Sequence, residues 1–590
     1  MTVCLTWIVL GALAVAPAPA QAQEHADAAL ESLFQDYLDA WFADEPLMAT
    51  RLGDHRFDDR LEDLSAESRA GWVERDRRFL AELPERVDYD ALSRDGQIDY
   101  EIFRHHLEYT LWLSEHFKPF ENDPRTYVGY TTEGVYLLLT QSTLPAAENL
   151  SNAIERIKAV PRIVETAKAT LSDAPRVKVE TAILQTQGAI AFYTDDVFLF
   201  ANRPRDEGVL AEVAAEAAEA LQDYLDFLTN ELLPKAGDDW RIGPDLFAEK
   251  VARELNSGLT AAEVLAEATA EAERVEQEMA VIARQLWWEM FPNTPVPPDD
   301  PEGRRTLIRK VLDQIGREHG SPDTLVSDAK ATVASIKTFI NDRNILQLPE
   351  PDRCEIIEMP EFMRGNSVAY LNPAPPLDPE SRSEYAISPP PSDWDEERVA
   401  SFLREYNARM LQILTIHEAY PGHYVQLEYS NRCPSLIRRV LSSGTFAEGW
   451  AVYTERMMLD EGFGLGDPKL RMQQLKFYLR AVVNAILDHE MHAHSMTDEQ
   501  AMSLLMDRAF QTEGEAAGKV IRSKQSSAQL STYFVGRVAF HRLRQAIQRE
   551  QGDAFDLARF HEATLSHGTL PVKYLPELVR RSLEMGAVAE

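Results

Sequence analysis

The chain has 590 residues, 45% of them hydrophobic, and a formal net charge of -36. That length and content supply ample core for one large enzyme or several domains. So acidic a chain has no basic footprint for nucleic acid and is excluded from that class of binder, its charge serving solubility first.

Residues 2-16 are apolar and lead into Pro-Ala-Pro-Ala-Gln-Ala-Gln. With Ala20-Gln21-Ala22 as a small-x-small cleavage site, residues 1-22 read as a secretory signal peptide, although no Lys or Arg stands near the start. Cys4 lies too early for a lipoprotein anchor, and no later segment is long and apolar enough to span a membrane. The expectation is an exported protein, periplasmic or extracellular, with no integral membrane segment after cleavage. The mature chain then carries Cys354 and Cys433, enough for one disulfide but not for a disulfide framework.

Almost all of residues 23-590 read as helix. From Ala26 to Ala43, Leu30, Leu33, Phe34, Tyr37, Leu38 and Trp41 recur at three-to-four spacing, which marks one inward face. Similar patterns run over Leu80 to Leu113, Ala146 to Leu171 and Val209 to Leu233. Thr260-Ala-Ala-Glu263 is a capping-box pattern opening a helix to about Met290. The Pro-rich run 291-301 ends it and divides the chain into expected lobes of roughly 23-290 and 305-590. Three β-favouring runs follow, Cys354 to Met359, Ser367 to Leu371 and Glu384 to Ser388, which predict a small sheet. An edge strand there could pair with an extended peptide or could be a plain structural hairpin.

Ser392-Asp393-Trp394-Asp395 then opens a helix whose apolar positions Val399, Phe402, Leu403, Tyr406, Met410, Ile413 and Leu414 stay in phase to His417. The segment His417-Glu418-Ala-Tyr-Pro421-Gly422-His423-Tyr424 offers two imidazoles and a carboxylate, donors that suit zinc. Zinc-peptidase helices space their histidines as His-Glu-x-x-His, whereas His423 stands six residues on, roughly 240° around an ideal helix. Pro421 removes an amide and Gly422 frees the backbone, so a two-residue bulge is expected to swing His423 back beside His417. Two readings stay open at this point: a metal site, or a Pro-Gly turn flanked by histidines by chance.

A third ligand is sought in Ser443-Gly-Thr445-Phe-Ala-Glu448-Gly-Trp450, where Glu448 opens a helix and Glu455 follows on a similar face. Thr445-x-x-Glu448 is also a capping-box pattern, which would account for Glu448 without metal. A rival cluster is Asp488-His489-Glu490-Met491-His492-Ala493-His494, which could be a second site, a support for the first or a hydrated helix end.

These segments resemble the bacterial proteins grouped under domain of unknown function 885, which are similar to the peptidase clan of His-Glu zinc enzymes. The family motif His-Glu-Ala-x-Pro-Gly-His-His is matched from His417 to His423, with Tyr424 in place of the last His. Glu-Gly-Trp-Ala-x-Tyr is matched by Glu448 to Tyr453, and Asp-x-x-x-His by Asp488 and His492. Pro-Gly-Gln-Ala-x-x-Tyr-x-x-Gly is matched in part from Ser527 to Gly536, with Ser-Ala before Gln529, and Phe560-His561 and Gly568-x-x-Pro571 also fit. The resemblance implies a mostly α-helical zinc-peptidase-like fold with two helical lobes and a small sheet near the active site. Zinc would be held by His417, His423 and Glu448, with Glu418 as general base and Tyr533 and His492 as donors to the oxyanion, Tyr533 foremost. The expected substrate is a peptide or small amide. A zinc hydrolase of a non-peptide amide or ester uses the same residues, and a non-catalytic metal-binding protein is the remaining alternative.

Overall fold

In a computed structural model the chain is described over residues 19-359, 369-392 and 394-588. Most of the expected signal peptide, Ser367 and Val368 of the second β run, and Asp393 lie outside the described residues. The fold is mostly α-helical with one small sheet.

The first described helix, Pro19–Asp44, buries Leu30, Leu33, Phe34, Tyr37 and Leu38, the stripe that the spacing predicts. Of the longer helical patterns, Val209 to Leu233 forms one continuous helical run ending in a π turn, while Leu80 to Leu113 and Ala146 to Leu171 resolve into shorter helices. Between Ala66–Arg86 and Arg94–His116, for example, the Asp88 and Ser93 side chains accept backbone amides and turn the chain. The helix Ala261–Met290 begins at the expected capping box, in which the Thr260 side chain accepts the Glu263 amide and the Glu263 carboxylate accepts the Thr260 amide.

Two of the three apolar cores run across the Pro-rich connection. One packs residues 26-107 against 325-583, a second joins 247-315 to 452-535, and a third is drawn from 47-236. Proline stops a helix but not its packing: the Trp287 indole donates to the Thr294 carbonyl at 2.8 Å, and the helix Pro301–Gly316 folds back onto Ala261–Met290.

Strands β1 (Cys354–Glu358), β2 (Ala369–Asn372) and β3 (Ser383–Ile387) form a sheet of order β1-β3-β2. β1 is parallel to β3 and β2 antiparallel to it, so β2 is an edge. The Tyr385 and Thr415 hydroxyls lie 2.9 Å apart and join β3 to the helix that carries His417.

The single helix expected from Ser392 to His417 is two, Glu396–Glu405 and Ala408–Glu418. The apolar phase continues through the break, but buried Asn407 interrupts the backbone. Its carboxamide oxygen accepts the Arg409 and Met410 amides at 3.1 and 3.2 Å, and its nitrogen donates to the Arg404 carbonyl at 3.0 Å. Asn407→Ala should cost about 2 kcal/mol, at the upper end for a lost helix cap, because buried polar groups lose their partners as well. Urea unfolding measures this, and an unchanged midpoint would show that the cap is dispensable.

Candidate metal centre

The chain past His417 does not bulge. It breaks: the helix Ala408–Glu418 ends, residues 419-422 turn, and a new helix, His423–Asn431, begins at the second histidine. This replaces the expected two-residue bulge, and the cause is steric. A Cβ on Gly422 would stand 1.8 Å from the His417 carbonyl oxygen and 2.3 Å from that of Ile416, so only glycine lets the chain cross the end of the first helix. The turn is tied down from outside by the buried Trp450 indole, which donates to the Pro421 carbonyl at 2.8 Å. The outcome sets the two imidazoles edge to face, with ring centroids 4.8 Å apart.

Glu448 comes from the helix Gly444–Asp460. The expected Thr445/Glu448 capping box is absent, because the helix starts earlier, with Ser443 as its cap accepting the Phe446 amide. Freed of that duty, the Glu448 carboxylate lies 3.4 Å from His423 Nε2 and 3.8 Å from His417 Nε2. Among the described residues, these three form the one group of at least three His, Cys, Asp or Glu side chains placed to share an ion, their ligand atoms all within 4.8 Å of one another.

Glu455, to which the sequence assigns no role of its own, joins the site from the same helix. Seven residues is close to two full turns, so Glu455 shares a helix face with Glu448, and its carboxylate meets the other nitrogen of His417, Nδ1, at 2.8 Å. An Nδ1–H given to Glu455 leaves the Nε2 lone pair facing Glu448, the orientation that outer carboxylates impose on metal-binding histidines. Burial and the neighbouring His423 push the His417 imidazole down to about 3, so it is neutral. At His423 and Glu448 burial opposes charge, but their mutual attraction outweighs it: the imidazole is raised and the carboxyl lowered.

Glu418 points into the same cavity from the position after His417. Burial pushes its carboxyl up to about 7, and the Leu371 amide on the edge strand β2 donates to it at 3.2 Å. Tyr533 lines the cavity from the helix Thr532–Gln551, beside Glu448. That helix crosses Gly444–Asp460 with backbone against backbone: a Cβ on Gly449 would stand 2.4 Å from Gly536 Cα, and one on Gly536 would stand 1.9 Å from the Thr445 carbonyl oxygen.

His492 is not brought to the cavity. Its Nε2 faces the carbonyls of Ser523 and Ser526 at 2.8 and 3.0 Å, and its ring stacks on Phe247. Two carbonyl oxygens at one nitrogen call for an N–H donor, so this histidine ties down the end of the helix Glu513–Gln525 instead of meeting an oxyanion. The neighbouring Asp488 is buried and accepts the Ala528 amide and the Ser531 hydroxyl, both at 3.1 Å, holding the turn before Tyr533. Ala528, where the family motif has Gly, holds a left-handed φ of 67° in that turn. Tyr424, where the motif has a second His, also points elsewhere: its hydroxyl donates to Asp352 at 2.9 Å and accepts the Arg353 amide at 2.7 Å. Tyr453 pairs with His561 at 2.8 Å, and Cys354 and Cys433 are free thiols.

The cavity has a volume of about 980 Å³, at the upper end of ligand pockets. Its donor set fits zinc, offering one neutral imidazole, a second imidazole and a carboxylate. The separations of 3.4 and 3.8 Å from Glu448 are near the roughly 3.4 Å between tetrahedral ligands bonded at about 2.1 Å.

The family model described as bacterial protein of unknown function, DUF885, matches residues 46-579. A solved structure of a candidate lipoprotein of unknown function from Shewanella oneidensis is 31% identical, and the match covers 96% of this chain and 100% of that one with a TM-score of 0.78. A candidate lipoprotein from Colwellia psychrerythraea shares the fold at 17% identity and a TM-score of 0.75, over 95% of this chain and 99% of that one. No curated protein matches the chain. By the extent of the family match and the likeness to the Shewanella protein, the chain belongs to the bacterial family of unknown function DUF885.

Proposed function

We propose that the protein is a zinc-dependent hydrolase that cleaves peptides in the cell envelope. The observation that carries this reading is the convergence of His417, His423 and Glu448 in one cavity with Glu418, a carboxylate beside the ligand set but not part of it. A purely structural zinc has no use for such a base. When bound, zinc would act as a Lewis acid, acidifying a water and polarising the scissile carbonyl. Glu418 takes the proton of the attacking water and passes it to the leaving nitrogen, while the Leu371 amide fixes its orientation. The Tyr533 phenol donates to the oxygen that gains negative charge. The outer strand β2 brings Tyr370 and Leu371 to the cavity, where an extended peptide backbone can run beside it. Export is supported by the apolar N-terminus and by relatives described as candidate lipoproteins.

Elemental analysis of the purified protein should find about one zinc per chain, as for a three-ligand catalytic site, and His417→Ala should lose it. The zinc-loaded protein should cleave a peptide mixture faster than a panel of small amides and esters. Zinc no higher in the wild type than in His417→Ala would overturn the metal centre. Cleavage confined to the small amides and esters would replace the peptide with a non-peptide substrate.

A further inference from the structure

The wall of the cavity facing the metal centre is the helix Glu513–Gln525, which presents Gly514, Glu515, Gly518, Lys519 and Arg522. A Cβ on either glycine would meet nothing within 4 Å, so the wall is open at both positions, one of them next to Lys519. Most charges around the cavity are already matched. Lys476 binds Glu405 at 2.6 Å, and Arg480 lies 3.3 Å from Glu515 and 3.8 Å from Glu405.

Lys519 and Arg522 are the exceptions on this helix. Among the described residues, no carboxylate lies within 4 Å of either cation, and Lys519 has no hydrogen-bond partner. Arg522 donates to Gln529 at 2.8 Å and to the Tyr533 hydroxyl at 3.4 Å, both neutral. Burial, with the nearby guanidinium groups of Arg480 and Arg522, pushes the Lys519 ammonium down to about 7 against the opposing pull of Glu515 and Glu448. In a chain carrying 96 acidic and 60 basic residues, acidic partners were abundant, yet Lys519 in the wall of the cavity and Arg522 at its solvent-exposed rim have no carboxylate paired with them among the described residues.

We propose that Lys519 and Arg522 receive a carboxylate of the substrate, the C-terminal carboxylate of a peptide whose scissile bond lies at His417, His423 and Glu448. This rests on the peptidase reading above and gives it a class: residues are removed from the carboxyl end. A cavity of about 980 Å³ holds only a short stretch of peptide beyond the bond. Charge-assisted hydrogen bonds to a desolvated carboxylate are strong enough to select for it.

The test uses one N-acetylated tetrapeptide mixture prepared with C-terminal carboxylates and again with carboxamides, each in versions with and without Asp and Glu. Binding to the zinc-loaded Glu418→Gln protein is measured by calorimetry, and cleavage by the wild type by mass spectrometry. The free acids should bind about 10- to 100-fold more tightly than the amides, whether or not Asp or Glu is present. Lys519→Met and Arg522→Gln, checked for zinc content and thermal unfolding, should each bring that ratio towards one. Equal binding of acids and amides overturns the proposal even if both are cleaved, leaving a peptidase without carboxyl-end selection. A preference that follows Asp and Glu instead of the terminus also overturns it, moving the contact to a side-chain carboxylate. Tight binding of the acids without any cleavage would sink the peptidase reading and leave the carboxylate site standing. The acid-to-amide comparison in the Glu418→Gln protein decides the matter even if Lys519→Met or Arg522→Gln fails to fold.

Discussion

Glu418→Gln should leave zinc in place and lower peptide turnover about 100- to 10,000-fold, the usual contribution of a general base. Glutamine keeps the volume and, through its carbonyl oxygen, can still accept the Leu371 amide that now reaches Glu418 at 3.2 Å. It cannot take up a proton from water. The nearby ligand set of His417, His423 and Glu448 is untouched by the change, so elemental analysis should separate this variant from His417→Ala, which loses metal and activity together. Zinc loss in Glu418→Gln equal to that in His417→Ala would make Glu418 a ligand. Wild-type turnover would remove it from the chemistry.

Gly422→Ala should be the most damaging single methyl group in the site. The added carbon would overlap the carbonyl oxygens of His417 and Ile416, at 1.8 and 2.3 Å. Backbone cannot yield as a side-chain tip can, so the turn must open. A cost of about 3 kcal/mol, the upper range for overpacking, is expected in urea unfolding. His423, the next residue, should move with the turn, and zinc affinity should fall at least about 10-fold, as when support for a metal ligand is lost. Gly444→Ala is the control, because its Cβ would meet nothing within 4 Å. Equal effects of the two substitutions would mean that the close crossing at Gly422 does not set the ligand geometry.

Much of the fold was legible because it is written in local periodicity. The stripe from Leu30 to Leu38 and the capping box at Thr260 needed only neighbours in sequence. Where two local signals competed, the sequence could not rank them: Ser443 and Thr445 both suit a helix start, and Ser443 is the cap. The break at Asn407 was masked because apolar residues keep their phase across it. Candidate ligands could be gathered from motifs, but the route by which His423 reaches His417 depends on Trp450 holding the Pro421 carbonyl, a contact 29 residues away. His492 was misplaced because a histidine that binds two backbone carbonyls and one that meets a substrate look alike in sequence. Lys519 and Arg522 carried no signal at all, since being unpaired is a property of what surrounds them in space.

The crossing of Gly449 and Gly536 gives the site a fixed gauge. Glu448 precedes one glycine by one residue and Tyr533 precedes the other by three, and main chain touches main chain where the helices meet. The spacing between the two helix backbones that carry the acid and the phenol is therefore set by covalent geometry and van der Waals radii. Ordinary side-chain breathing elsewhere in the core leaves that spacing alone. Any side chain larger than hydrogen at either glycine would act as a shim, parting the carboxylate from the hydroxyl without touching either.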